Sequence, residues 1–377
     1  LIATWDAGTG EGELTYLVTV EGIDTDRLEI VESEDLSASL SGLEDGEYRV
    51  WVEATDEAGE TTGAEVVLQQ LVGENRLVYR SETPITDPGG SGGGADVWGE
   101  GNIVVQAGLR SGVSFMVVDA TDPSHPEVLA RVSNQGFVKD LKIGDGLLFT
   151  NGECGCAIDT PEWEAYDKIG ARIFDFSDPA NPVLLGTISE PSVSVHNLSY
   201  GDGVLYLSDN LSQTVAAWDV QDPTAPTLLW NWAPPEEGHI HDQAWVDGKL
   251  YVAFWNGFAV LDVSEPTADP VELVVSVPAN GGAFHNVWPS ADGRYVFTSE
   301  ERPGGFLRVW DLFAPEASVG IFLTDPLHVV HNVHVRGNFA YVAWYVDGVV
   351  VLDVTEPTSP VEVGRYDTLD ESLLDPE

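Results

Sequence analysis

Positive charge is what this chain has least of. Its 377 residues carry 16 Lys and Arg against 63 Asp and Glu, a formal net charge of −47, and only Lys139, Lys142, Lys168 and Lys249 are lysine. Nothing here can neutralise a phosphate backbone, so nucleic acid is excluded as a partner. No run approaches the length of apolar sequence that a membrane-spanning helix needs, so no transmembrane span is expected. Long amphipathic helical periodicity is also missing. The only cysteines, Cys154 and Cys156, stand one residue apart, too few and too close for a disulfide framework. No Gly-x-Ser-x-Gly, P-loop or dinucleotide fingerprint occurs in a strand-to-helix setting, so serine-hydrolase and nucleotide chemistry have no anchor. The chain opens on Leu1 with no charged segment ahead of it, as expected of a processed or trimmed product.

Apolar residues make up 43% of the chain and aromatics 10%, enough to close a sizeable core and to exclude disorder over most of the length. An acidic, lysine-poor surface keeps a protein soluble by self-repulsion in salty or calcium-rich surroundings, which leads to the expectation of an extracellular or cell-surface address. With 39 Gly and 22 Pro punctuating short β-branched runs such as Asn102-Ile-Val-Val-Gln106 and Leu250-Tyr-Val-Ala-Phe254, the expected fold is all-β.

Three segments are expected. Residues 1–72 alternate apolar and polar positions between turn signals, for example at Leu14-Thr-Tyr-Leu-Val-Thr-Val20 and Tyr48-Arg-Val-Trp-Val-Glu-Ala54, the pattern of a small sandwich. The stretch Leu40-Ser-Gly-Leu43 to Gly59, with Trp5 upstream, resembles a fibronectin type III domain. Against that family the chain starts inside the second strand, so the expectation is a sandwich lacking its first strand, with an edge that is open, trimmed away or filled by strand donation from another molecule. Residues 73–94 read as a linker through Asp87-Pro-Gly-Gly-Ser-Gly-Gly-Gly94, with Leu77–Ser81 a candidate propeller strand. Residues 95–377 repeat.

The repeated phrase ends a strand on aspartate and usually turns at proline. It recurs as Val117-Val-Asp119, Ile173-Phe-Asp175, Ala217-Trp-Asp219, Val260-Leu-Asp262, Val309-Trp-Asp311 and Val351-Leu-Asp353, at spacings of 56, 44, 43, 49 and 42 residues. A period in the forties with four short strands per copy predicts a six-bladed β-propeller. The phrase resembles the LVIVD repeat of extracellular propellers, including the choice-of-anchor B surface proteins. That resemblance implies a fold and a surface location, and no particular chemistry.

Aligned at the start of the inner strand, the repeats give Ala95-Asp96, Lys139-Asp140, His196-Asn197, His241-Asp242, His285-Asn286 and His331-Asn332. Inner strands converge on a propeller's axis, so His196, His241, His285 and His331 should gather at one mouth of the channel. The second blade's long loop brings Cys154 and Cys156 toward the same mouth. Imidazole, thiolate and carboxylate together suit zinc, copper or iron. The structural alternative is that His-Asn and His-Asp pairs satisfy backbone groups where strands crowd the axis. Calcium is the other ion to weigh, at the Asp-x-Thr/Ser-Asp/Glu-Pro turns, but their spacing does not match an EF-hand, and side-chain capping of the turn is the simpler reading.

Two functions therefore stand side by side. One is an extracellular scaffold or binding protein that presents a rigid propeller to other extracellular proteins or to copies of itself, with a metal at the channel mouth. The other is a metal-dependent hydrolase or oxidoreductase using the histidine ring.

Overall fold

The computed structural model describes residues 93–367 except 110–112, 134, 136, 155–159, 161–163, 165, 236–238 and 279–281, and within the first 92 residues the backbones of six strands. There, Ile2–Thr4 pairs with Ser37–Ser39, and Leu28–Ser33, Thr15–Gly22, Gly46–Thr55 and Thr61–Gln70 form an antiparallel sheet in that order. The fibronectin-like sandwich expected over residues 1–72 is described no further than these pairings. Leu77–Ser81 lies outside the described residues.

From Gly93 onward six four-stranded antiparallel sheets follow one another, each built from four consecutive strands. This is the expected six-bladed propeller. The inner strands are Gly93–Glu100, Leu141–Gly144, Val195–Gly201, Ile240–Val246, Phe284–Pro289 and Val330–Arg336. In blades 2, 3 and 4 the inner strand turns into the second through Asp-Gly. Asp145, Asp202 and Asp247 have φ of 52°, 52° and 48°, and the glycines that follow have φ of 73°, 76° and 73°. Positive φ at both central residues is the tight hairpin whose twist matches the strands it joins.

The aspartates of the repeated phrase stand at the same end of each blade, where the third strand turns toward the fourth and its backbone bonds to the inner hairpin. Asp119, Asp175, Asp219, Asp262, Asp311 and Asp353 each accept the backbone N–H two residues on, at 2.8–3.0 Å. The side chain thereby supplies the turn's hydrogen bond, as Asx turns do. The repeat is thus a turn device first.

Packing runs between blades. Among the described residues five apolar clusters each join consecutive blades: Phe115 and Phe174 link blades 1 and 2, Phe149 and Leu198 blades 2 and 3, Tyr206 and Phe254 blades 3 and 4, Phe258 and Trp310 blades 4 and 5, and Leu307 and Trp344 blades 5 and 6. Burying one such side chain is worth about 1.5–3 kcal/mol, so the blades are held chiefly by their neighbours. No such cluster joins blade 6 to blade 1 among the described residues. The second strands of blades 3 to 5 are buried on both faces, whereas in blade 6 Phe339–Trp344 alternates exposed with buried. Phe339 and Tyr341 are 41% and 42% exposed. One wall of the last blade is thus partly exposed at Phe339 and Tyr341, while Val351 opposite Tyr341 is buried.

Candidate metal centre at the channel mouth

A backbone irregularity places the histidines. Pairing of the inner with the second strand jumps from Val195 to Asn197, from Ile240 to Asp242, from Phe284 to Asn286 and from Val330 to Val333. His196, His241 and His285 are each the extra residue of a β-bulge, and His331 shares one with Asn332. In a regular strand, neighbouring side chains point to opposite faces. A bulge re-aims one of them, so a histidine and the Asp or Asn after it can both face the channel.

The structure brings all four imidazoles together. They line one cavity of about 450 Å³ with Asp96, Lys139, Asp140, Asn197, Asp242 and Glu301. Ring centroids lie 4.4 Å apart for His196 and His241, 3.9 Å for His241 and His285, and 4.1 Å for His285 and His331. The arc ends in a carboxylate on each side. Glu153 lies 3.0 Å from His196 Nδ1, but it also accepts from Asn210 Nδ2 at 2.9 Å and pairs with Lys139 Nζ at 2.6 Å. These partners outweigh its burial and hold its carboxyl down at about 2. Glu301 is less engaged. It accepts a hydrogen bond from the Tyr345 hydroxyl and stands 3.4 Å from His285 Nε2 and 3.9 Å from His331 Nε2.

His241, His285 and Glu301 offer ligand atoms that all lie within 4.8 Å of one another. The Nδ1 atoms of His241 and His285 are buried without a hydrogen-bond partner. Unpaired buried nitrogens are costly as N–H donors and are what an electrophile would engage. Burial, reinforced by the other imidazoles, pulls His241 down to about 3. The same causes pull His285 lower still, with Asn332 opposing, and burial lowers His331. All three are therefore neutral at pH 7, the form that binds metal.

The Asp/Asn column has a different task. Asp140 Oδ2 accepts Leu198 N at 2.5 Å, Asn286 Oδ1 accepts Val333 N at 2.8 Å, and Asn286 Nδ2 donates to Asp242 Oδ2 at 2.6 Å. Each bond crosses from one blade to the next. Lys142 sits in this belt, donating to Asp140 and, at 3.2 Å, to Asp96. Burial alone would lower the Lys142 ammonium's pKa, yet Asp140 and Asp96 hold it above the ordinary lysine value. Burial also drives Asp140 up, and it lifts Asp242 to about 6. The backbone-satisfying alternative thus describes Asp140 and Asn286, whereas Asn197 Oδ1 and Asn332 Oδ1 are buried without a hydrogen-bond partner, and His241 and His285 each keep an unpaired Nδ1.

Other positions fall as follows. Cys154 is disulfide-bonded, a form that presents no thiolate, and Cys156 lies outside the described residues. His239 packs 5.8 Å from His241 and bonds Gln213 Oε1 at 3.2 Å. His125 stays in its exposed turn against Asp122, and His328 bonds Asp347. Sequence reasoning missed Glu301, Tyr345 and Glu153. The available signal was their placement at the start of the second-to-third-strand loops, which share a face with the histidine column.

A model of the LVIVD repeat matches residues 242–274 and 329–368, the bodies of blades 4 and 6. The chain therefore carries LVIVD repeats. No curated protein matches the sequence. Among solved structures, a protein of unknown function from Desulfotomaculum acetoxidans is 13% identical, with 85% of this chain and 92% of that chain covered and a TM-score of 0.54. A protein from Lactobacillus plantarum is 15% identical over 71% of this chain and 82% of that chain, with a TM-score of 0.55. The computationally designed Ika8 protein is 12% identical over 73% and 76%, with a TM-score of 0.50. At these identities the likeness concerns the fold alone.

Proposed function

We propose that this chain is an extracellular or cell-surface binding protein whose propeller holds one transition-metal ion at the channel mouth, with zinc the best fit. The observation that carries the reading is the convergence of His241, His285 and Glu301 within 4.8 Å, with two ring nitrogens buried and unpaired. Two imidazoles and one carboxylate are a donor set zinc accepts, with a fourth position left open. His331, beside Glu301, is the nearest further donor, and His196 closes the arc. Calcium, which takes six to eight oxygens, suits this nitrogen-rich set poorly. The acidic, lysine-poor composition and the disulfide at Cys154 support an oxidising, extracellular setting.

The test is metal analysis of the purified full chain, stripped and then reloaded with zinc, copper or iron. About one equivalent is expected, lost in His285→Ala and Glu301→Gln; less than about 0.2 equivalents of every metal after reloading would overturn the reading.

A second reading, metal-dependent hydrolysis, draws on the 450 Å³ space in front of the donors, since three protein ligands and an open face are the layout of catalytic zinc. Turnover of activated esters that appears on zinc loading and disappears in Glu301→Gln would support it. Assembly through the N-terminal segment remains a separate proposal, tested by the oligomeric state of the full chain with and without residues 1–72.

A further inference from the structure

Below the Asp/Asn belt the channel opens into a second cavity of about 280 Å³. Its wall is aromatic on one side only. Two residues past the belt on the inner strand, blades 3 and 4 carry Ser199 and Ala244, whereas blades 5, 6 and 1 carry Trp288, His334 and Trp98. His334 stacks on Trp288 with centroids 3.8 Å apart, and the two indoles lie 6.4 Å apart. Tyr341, from the partly exposed wall of blade 6, completes the lining and is 42% exposed, so this side of the cavity borders solvent.

The opposite end of the cavity presents oxygen acceptors. Asp96, Asp242 and Asn197 line it, and Asn197 Oδ1 is buried with no hydrogen-bond partner. Two carboxyl groups, Asp96 and Asp242, line the cavity with a single ammonium, Lys142, which Asp96 and Asp140 engage and which lies 4.8 Å from the Trp98 ring centroid. A carboxylate or phosphate would be repelled. A cation carrying N–H donors would meet complementary acceptors, and indole and phenol faces attract cations and stack on flat apolar bodies.

We infer that this cavity binds a small organic ammonium ion, a protonated primary amine on a flat apolar body, with the ammonium toward Asp242 and Asn197 and the body between Trp288 and Tyr341. The volume lies just under the range of drug-sized sites and limits the occupant to on the order of ten heavy atoms. The inference is independent of the metal reading, because none of these contacts uses His241, His285 or Glu301.

The experiment is calorimetric titration of the full chain, kept metal-free with chelator so that an amine cannot ligate a metal at the upper mouth. The probe is phenethylammonium, compared with phenethyl alcohol, 3-phenylpropionate and benzyltrimethylammonium. Saturable binding is expected with a Kd below about 1 mM, and at least about 10-fold weaker binding of all three comparators. Tyr341→Ala, at an exposed position that leaves the blade core intact, should weaken phenethylammonium about 5–10-fold, the loss of one aromatic contact with the bound ring. Trp288→Ala should weaken it further. The inference is overturned by no saturation up to about 10 mM, by equal binding of the alcohol or the carboxylate, or by unchanged affinity in Tyr341→Ala.

Discussion

Acidification separates a buried histidine centre from an ordinary one. Protons compete with metal for imidazole, and a histidine of ordinary pKa near 6.5 loses most of its neutral form between pH 7 and 5.5. For two such ligands the available neutral pair falls about 8-fold for each, or about 70-fold together, and the apparent metal affinity falls with it. Here burial, with the other imidazoles, has already depressed His241 to about 3 and His285 below that. The folded protein therefore has no proton to displace from either ring across this window, and their contribution to the affinity ratio between pH 7 and 5.5 should be within about 3-fold of unity. Competition titration of zinc against a chromophoric chelator, with the chelator's own pH dependence calibrated separately, reads this ratio. A fall of about 70-fold or more would show that these imidazoles titrate as solvated ones do, and the argument from burial would be wrong. The metal-free protein carries the same sign. A group whose folded pKa lies below its unfolded value leaves the unfolded chain binding more protons, so stability should drop as pH falls from about 6.5 toward 3.

Three further outcomes follow from particular contacts. Glu153, held at about 2 by His196, Lys139 and hydrogen bonding against its burial, stabilises the fold fully above its unfolded value near 4.5 and loses that stabilisation as pH falls toward 2. Glu153→Gln should remove about 3 kcal/mol of acid-dependent stability in denaturant melts between those pH values, and an unchanged pH profile would refute the assignment. Asn286→Ala strands the buried Asp242 carboxylate and Val333 N–H, and should cost about 2–6 kcal/mol in the same melts, against under 1 kcal/mol if the belt is dispensable. Trp344→Ala, which empties the core shared by blades 5 and 6, should cost about 3–5 kcal/mol and leave zinc stoichiometry at pH 7 unchanged wherever the protein remains folded.

Much of the propeller was legible because its repeat is written in residues with one local task. The aspartate of each phrase accepts a hydrogen bond two residues on, so the turn recurs wherever the residue does, and the spacing then counts blades. The histidine column was legible for a related reason, since equivalent positions on six inner strands must face a common axis. The bulge was not. Nothing in Phe284-His285-Asn286 announces that one residue will fall out of register, yet this is what lets His285 line the cavity at the channel mouth while Asn286 ties blade 5 to blade 6. Glu301 escaped notice because acidic residues number 63 and only tertiary structure distinguishes one beside two imidazoles from the rest. The partial exposure of blade 6 was equally hidden. Its apolar pattern reads like that of its siblings, and only the three-dimensional arrangement shows Tyr341 at 42% exposure.

The donors at the mouth are separated by long stretches of polypeptide, His241 and His285 on successive blades and His331 on the next. An unfolded chain holds these groups too far apart to chelate, so the ion would act as a clasp that exists only while three blades stay docked. Its release and the loosening of that half of the wheel would be one event. The temperature at which the wheel comes apart would then rise and fall with the free metal around it, making the protein's lifetime a readout of its surroundings.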